Sequence, residues 1–195
     1  MGQAPMTNCT AKTGITRRGI LAAFAATAIT AVPTYGNAFG ILRGAGDIRR
    51  IRMYSGRTGE SINMIYWLEG EYIKDAVKEV NHFMRDWRRG TSMNMDLRPV
   101  DIMAAAHNLM DISEPYTLLS GYRSPQTNAM LRARSGGVAK NSLHMKGQAA
   151  DLRLNSRSVN QMARAAAACR AGGVGRYSGS NFVHMDCGPI RTWGR

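Results

Sequence analysis

"AADLRLNSRSVNQMARAAAACRAGGVGRYSGSNFVHMDCG", residues 149–188, is the stretch whose reading decides the fold class. "AADLRL" alternates apolar and polar side chains as a half-buried strand does. "VNQMARAAAACRAGG" reads as a helix of small and apolar residues ended by paired glycines, and "NFVHMDCG" reads as a last strand. A strand, a helix and a strand in close succession, with longer helices upstream, predict an α+β domain. Its core is expected to be a small antiparallel sheet with helices packed on it.

Working towards the N-terminus, "YTLLSGYRS" is a short apolar strand that runs into a Gly-Tyr-Arg turn, and "PQTNAMLRARS" after it is a short helix. "MDLRPVDIMAAAHNLMDIS" has Pro99 near a first helical turn, with Ile102, Ala105, Ala106 and Leu109 on one side. In "SINMIYWLEGEYIKDAVKEVNHFMRDWRRG", Ile73, Val77, Val80 and Met84 recur at helical spacing and Gly90 can end the helix. "IRRIRMYSGRTGE" supplies a strand and a turn, and "PIRTWGR" closes the chain. His82 and His107 lie on the helical stretches and read as ordinary surface or core residues.

The first 38 residues differ in character from the rest. They hold no acidic residue, and Arg17-Arg18 precede the apolar run Ile20 to Val32, with small residues near Ala38. This is the pattern of a twin-arginine export signal cut after Ala38, which leaves residues 39–195 as one domain in the periplasm. The apolar run is too short and alanine-rich for a membrane span, so no stable membrane insertion is expected after cleavage. Loss of Lys12, Arg17 and Arg18 takes the net charge from +13 to +10. A basic exported domain finds anionic partners among peptidoglycan carboxylates and lipid headgroups. Nucleic acid is disfavoured, because export removes the chain from it and no binding motif is present. Cys169 and Cys187 follow the signal, and the sequence leaves both a Cys169–Cys187 disulfide and two free buried thiols open.

Of four histidines, His144 and His184 sit beside strand-like segments in glycine-rich surroundings, and Asp151 begins one of those strands. A catalytic zinc site needs about three protein ligands and one open position, and these three residues supply that count. Gly147 and the alanines before Asp151 let the chain turn back on itself. His-x6-Asp alone is a weak signal. A histidine that caps a turn and an aspartate bonded to loop amides explain it equally well.

"SGYRSPQTNAMLRARSGGVAKNSLHMKGQAADLRL" and "GGVGRYSGSNFVHMDCGPIRTW", with "RTGESINMIYW" and "FMRDWRRG" upstream, closely resemble the MepK-like murein endopeptidases. That family is related to the D-Ala-D-Ala carboxypeptidases and VanX-type dipeptidases. The resemblance implies a zinc-dependent hydrolase of the peptide cross-links between peptidoglycan stem peptides. By motif, His144, Asp151 and His184 would be the metal ligands, at the sheet. Arg123 would bind substrate and stabilise charge on the attacked carbonyl. Apart from the motif, Tyr122 and Tyr177 are candidates to line the groove, with an ordinary surface position as the alternative reading. The VanX-type branch places a catalytic glutamate three residues before the last ligand histidine, and here that position is Asn181. Asp186, two residues beyond His184 on the same side of a strand, is the candidate general base or acid. The alternative is that it only orients a ligand. A carboxypeptidase or dipeptidase on the same scaffold and a non-catalytic zinc-holding wall-binding protein are the competing functions.

Overall fold

The structure is a computed structural model that describes residues 45–194. The export-signal expectation for residues 1–38 therefore lies outside the described residues. Eight strands form one sheet in the order β3-β2-β1-β4-β5-β7-β6-β8. They are β1 (Ile48–Tyr54), β2 (Ser61–Leu68), β3 (Glu71–Tyr72), β4 (Tyr116–Ser120), β5 (Ala149–Arg153), β6 (Gly173–Tyr177), β7 (Phe182–Asp186) and β8 (Arg191–Gly194). The described helices are α1 (Lys74–Phe83), α2 (Leu97–Leu109), α3 (Pro125–Arg134) and α4 (Val159–Ala168).

The α+β class is as expected, but the sheet is larger than predicted and is mixed. β1 pairs with β4 in parallel, and so does β6 with β8. Four strands escape a reading by period, the two-residue β3 among them. In β2, Tyr66 is buried while Met64, Ile65 and Trp67 are all only partly covered, so the alternation is blurred. The glycines of β6 look like a helix stop, and β8 looks like a tail, because both are strands only by virtue of their partners.

Helix starts follow local chemistry. Asp96 accepts a hydrogen bond from the amide of Arg98, Ser124 from Thr127, and Ser158 forms a reciprocal box with Gln161. α2 is buried on almost every side, from Pro99 to His107, and packs against β1, β7 and α4. α4 also covers β6 and β7, while α1 lies on β2. His107 is a core residue: its Nε2–H donates to the carbonyl of Glu114 at 2.7 Å, and burial pushes its pKa down.

Strand alternation divides the sheet into two faces. Ala150, Leu152, Val183 and Met185 are fully buried in the core shared with the helices. Asp151, His184 and Asp186, at the intervening positions, belong to the opposite face.

The cysteines do not pair. Cys169 and Cys187 are both buried free thiols, which corrects the disulfide alternative. Cys169 caps the end of α4 with its thiol over the carbonyl of Ala165 at 3.4 Å, whereas Cys187 follows β7. Burial pushes Cys169 up to about 11 and Cys187 up to about 12, so neither is a ready nucleophile at neutral pH. Among the described residues no helix is long and apolar enough to cross a membrane.

Candidate metal centre

Register builds the site. Antiparallel pairing of β5 with β7 sets Asp151 directly against His184, and Ala149 against Asp186. Pairing continues outward from His184 to Gly175 of β6 and from Gly175 to Trp193 of β8. One row across the sheet is thus Ser120, Asp151, His184, Gly175 and Trp193; the row beside it runs Ala149, Asp186, Gly173 and Arg191. In both rows a glycine stands where a side chain would block contact. A Cβ at Gly175 would lie 2.6 Å from the Trp193 ring, and one at Gly173 would lie 2.4 Å from Nη1 of Arg191. Across those gaps the Trp193 ring approaches His184, with centroids 5.4 Å apart, and Arg191 reaches Asp186.

His144 arrives from outside the sheet, on a 3-10 turn at Leu143–Lys146 closed by Gly147 in the left-handed conformation. The turn interlocks with the segment after β4. The His144 carbonyl accepts from the Arg123 amide at 3.1 Å, and Nδ1–H of His144 donates to the Gly121 carbonyl at 2.7 Å. Gly121 cannot carry a side chain, since a Cβ would lie 2.4 Å from the carbonyl oxygen of Met84. This accounts for the glycine of "SGYRS" in terms of close packing, and for its carbonyl as the group that sets the His144 tautomer.

Three donor atoms converge. His144 Nε2 lies 3.2 Å from His184 Nδ1 and 3.2 Å from Asp151 Oδ1, and the last two are 2.9 Å apart. Tetrahedral zinc with bonds of about 2.1 Å spaces its ligand atoms by about 3.4 Å. The donor set and its spacing therefore fit a zinc ion with a small outward adjustment. Each histidine also donates its other ring N–H, His144 to the Gly121 carbonyl and His184 to Asp186, as ligating histidines do. Among the described residues this is the group of three such donors close enough to share one ion.

Electrostatics follow from crowding. Burial pushes the Asp151 carboxyl up, but His144 and His184 outweigh it and hold the group well below the usual carboxylate range. Burial likewise pulls His184 down, and its bonds to Asp151 and Asp186 reverse this, raising it to about 9. For His144 burial prevails, so its pKa falls and the ring is neutral. Arg123 is also buried; its Nη2 donates to Asp151 Oδ2 at 2.9 Å, and its Nε and Nη2 reach Ser120 Oγ.

Asp186 lies behind His184 and is completely buried. Its two oxygens accept five hydrogen bonds: from His184 Nε2, the amides of Gly173 and Gly188, and both terminal nitrogens of Arg191. Burial opposes ionisation, but His184 and Arg191 dominate and hold the carboxyl at about 2.

The donors open into a groove of about 510 Å³. Arg123, His144, Asp151, His184, Asp186 and Tyr177 are among the residues that line it; Tyr122 is not, and packs instead against the core. Asn181 is an exposed turn residue with φ of 51°, held by Arg153 through its carbonyl. One wall is aromatic: Tyr177 stacks on Phe182 at 4.5 Å, and its hydroxyl accepts from Trp193 Nε1 at 3.0 Å. Trp193, Phe182 and Arg191 are the groove residues that sequence reading missed. The available signal was the alternate glycines of "GGVGRY", which call for bulky side chains on a neighbouring strand.

A family model described as "Peptidoglycan L,D-endopeptidase MepK" matches residues 43–193. The chain is 44% identical over 136 residues to the Escherichia coli K12 protein named "Peptidoglycan L,D-endopeptidase MepK". That match covers 70% of this chain and 75% of the relative. It is 36% identical over 140 residues to the Haemophilus influenzae "Probable peptidoglycan L,D-endopeptidase MepK", covering 70% and 74% of the two chains.

Proposed function

The chain belongs to the MepK family of peptidoglycan peptidases, and on that premise we propose that it is a zinc-dependent endopeptidase of peptidoglycan cross-links. The observation that carries this reading is the convergence of His144 Nε2, His184 Nδ1 and Asp151 Oδ1 at the floor of an open groove. The relatives' names favour an L,D bond, as in the cross-link from the L-centre of one diaminopimelate to the D-centre of the next. Such a substrate lies outside the cytoplasm, in keeping with residues 1–38 acting as a twin-arginine signal that delivers the domain to the periplasm.

Zinc held by the three ligands would supply Lewis-acid polarisation of the scissile carbonyl and make hydroxide available near neutral pH. The chain's own residues supply position. Gly121 and Asp186 fix which nitrogen each histidine presents. Arg123 holds the second oxygen of Asp151, and from the groove lining its guanidinium can meet the developing oxyanion or a substrate carboxylate. For Asp186 we favour the orienting role over that of general base, because all its acceptor positions face His184, Arg191 and two amides.

The metal-free site makes a proton-release prediction. His184 carries protons on both ring nitrogens, since its pKa is about 9 and each nitrogen faces a carboxylate. Zinc loading at pH 7.5 must displace the Nδ1 proton, so calorimetry in two buffers of different ionisation enthalpy should return at least one proton released per ion. The sign for stability is set by a folded pKa above the unfolded value of about 6.5. The contribution of His184 to the metal-free protein is fully present below that value and is lost as pH rises through about 9.

Function is tested by chromatography of purified cross-linked muropeptides incubated with the protein, with and without chelator. New monomer peaks that disappear with chelator and return with zinc are expected, and their masses name the bond. A folded, zinc-containing protein that cuts no cross-link would leave the wall-binding reading. Release of terminal residues alone would make it a carboxypeptidase.

A further inference from the structure

Tyr177 carries a hydroxyl proton that the rest of the fold leaves unused. Its oxygen lies 3.0 Å from Trp193 Nε1. An indole N–H can only donate, so the tyrosine oxygen is the acceptor and its own O–H is turned away from Trp193. Among the described residues no acceptor takes that proton. The side chain is half-buried and lines the groove, so the donor is available to whatever fills it.

The hydroxyl is held from two sides. Phe182, the partner of Tyr177 across β6 and β7, stacks on its ring at 4.5 Å with an interplanar angle of 8°. Trp193 is itself wedged in place. Its ring fills the space that a Cβ at Gly175 would need, stands 5.4 Å from the His184 ring, and has the Arg191 guanidinium carbon 4.8 Å from its centroid. A phenol fixed through both its ring and its oxygen has little ordering left to lose when substrate arrives.

Strand register says how far this donor is from the metal ligands. The pair Tyr177–Phe182 follows two residues along the strands from the pair Gly175–His184, on the same side of the sheet. Two residues of strand span about 7 Å. An extended peptide has the same rise, so a stem peptide with its scissile amide at the ligands passes the hydroxyl about two residues further on.

We propose that Tyr177 is a specificity-determining residue whose hydroxyl donates to a carbonyl oxygen of the stem peptide about two residues from the scissile amide, with Trp193 as the positioning residue that aims it. The inference rests on the peptidase reading of the groove and adds to it which substrate atom is recognised and where. A single neutral donor at that distance fixes the register of the peptide without touching the reacting atoms.

The test compares wild type with Tyr177→Phe, which keeps the ring and its stack on Phe182 and removes only the hydroxyl. Both proteins are assayed at saturating zinc and matched for thermal midpoint. The substrates are a cross-linked muropeptide and two shortened forms, each with one stem cut back to the residue beside the scissile bond. On the full substrate the variant's KM should rise by about three- to tenfold, with kcat and zinc affinity unchanged. On the shortened form that has lost the acceptor, wild type and variant should share one KM. An unchanged KM for the variant on the full substrate overturns the proposal. So does an equal penalty on all three substrates, which would put the hydroxyl at the reacting atoms. Weakened zinc affinity in the variant overturns it too, and would leave Tyr177 as a prop that holds Trp193 against His184. If the wild type cleaves none of the three, the peptidase reading fails by itself. The equilibrium Kd of wild type and variant for the same muropeptides then still reports on the hydroxyl.

Discussion

Asp151→Ala is expected to abolish both zinc binding and cross-link cleavage, with activity falling at least about a thousandfold, to the level of chelator-treated wild type. A factor of a thousand corresponds to about 4 kcal/mol of barrier. The carboxylate does two things at once. Its Oδ1 lies within 3.2 Å of the donor nitrogens of His144 and His184, and its Oδ2 takes the Arg123 guanidinium at 2.9 Å. Without it, two ligands remain and a buried arginine loses its charge partner. Removing one member of a buried ion pair costs about 3–5 kcal/mol, so the metal-free variant should also melt at lower temperature. The measurement is a pair of thermal melts, with and without zinc, beside the muropeptide digest and the metal content. In the variant the zinc-induced rise in Tm should vanish. A variant that keeps stoichiometric zinc and cuts normally would remove Asp151 from the centre.

Asp186 is the second position of large effect, and there the pattern of loss matters more than its size. If it orients His184, Asp186→Asn should weaken zinc binding by about 10–100-fold, with activity recovering in proportion as zinc is added. If it is the general base, the variant should hold zinc as tightly as wild type, lose kcat at saturating zinc, and lose the acidic limb of its pH profile. The geometry favours the first outcome, because the side chain is fully buried and its oxygens face five donors. Asp186→Ala should in addition destabilise the fold by about 1–3 kcal/mol, since the amides of Gly173 and Gly188 lose their acceptor, while the half-exposed Arg191 keeps the Pro189 carbonyl and water. Zinc titration monitored by activity, run on both variants, separates these outcomes.

The candidate donors were legible in the sequence for a simple reason: their residue types are scarce in such settings. Only two of four histidines lie beside strands in glycine-rich surroundings, and an aspartate starts the adjoining strand. The class of fold was legible too, because α2 and α4 carry their caps and periodicity within a few residues. The sheet was not. β6 and β8 have weak strand patterns of their own, and parallel pairing joins residues about 18 positions apart, such as Gly173 with Arg191. Tyr122 illustrates the same limit from the other side. It neighbours Arg123 in the chain, yet it turns towards the core while Arg123 turns to the groove.

By itself the sequence marked His144, Asp151 and His184 as candidate donors and put His184 and Asp186 on one side of a strand. Those properties depend on residue type and on a two-residue repeat, both local. Only the tertiary structure decided what Asp186 faces. Arg191 comes to it from β8, past Gly173, and closes the carboxylate off behind His184. Which partners fill a buried acceptor is set by strand register and by where a missing Cβ leaves room, and neither is written in the residues on either side.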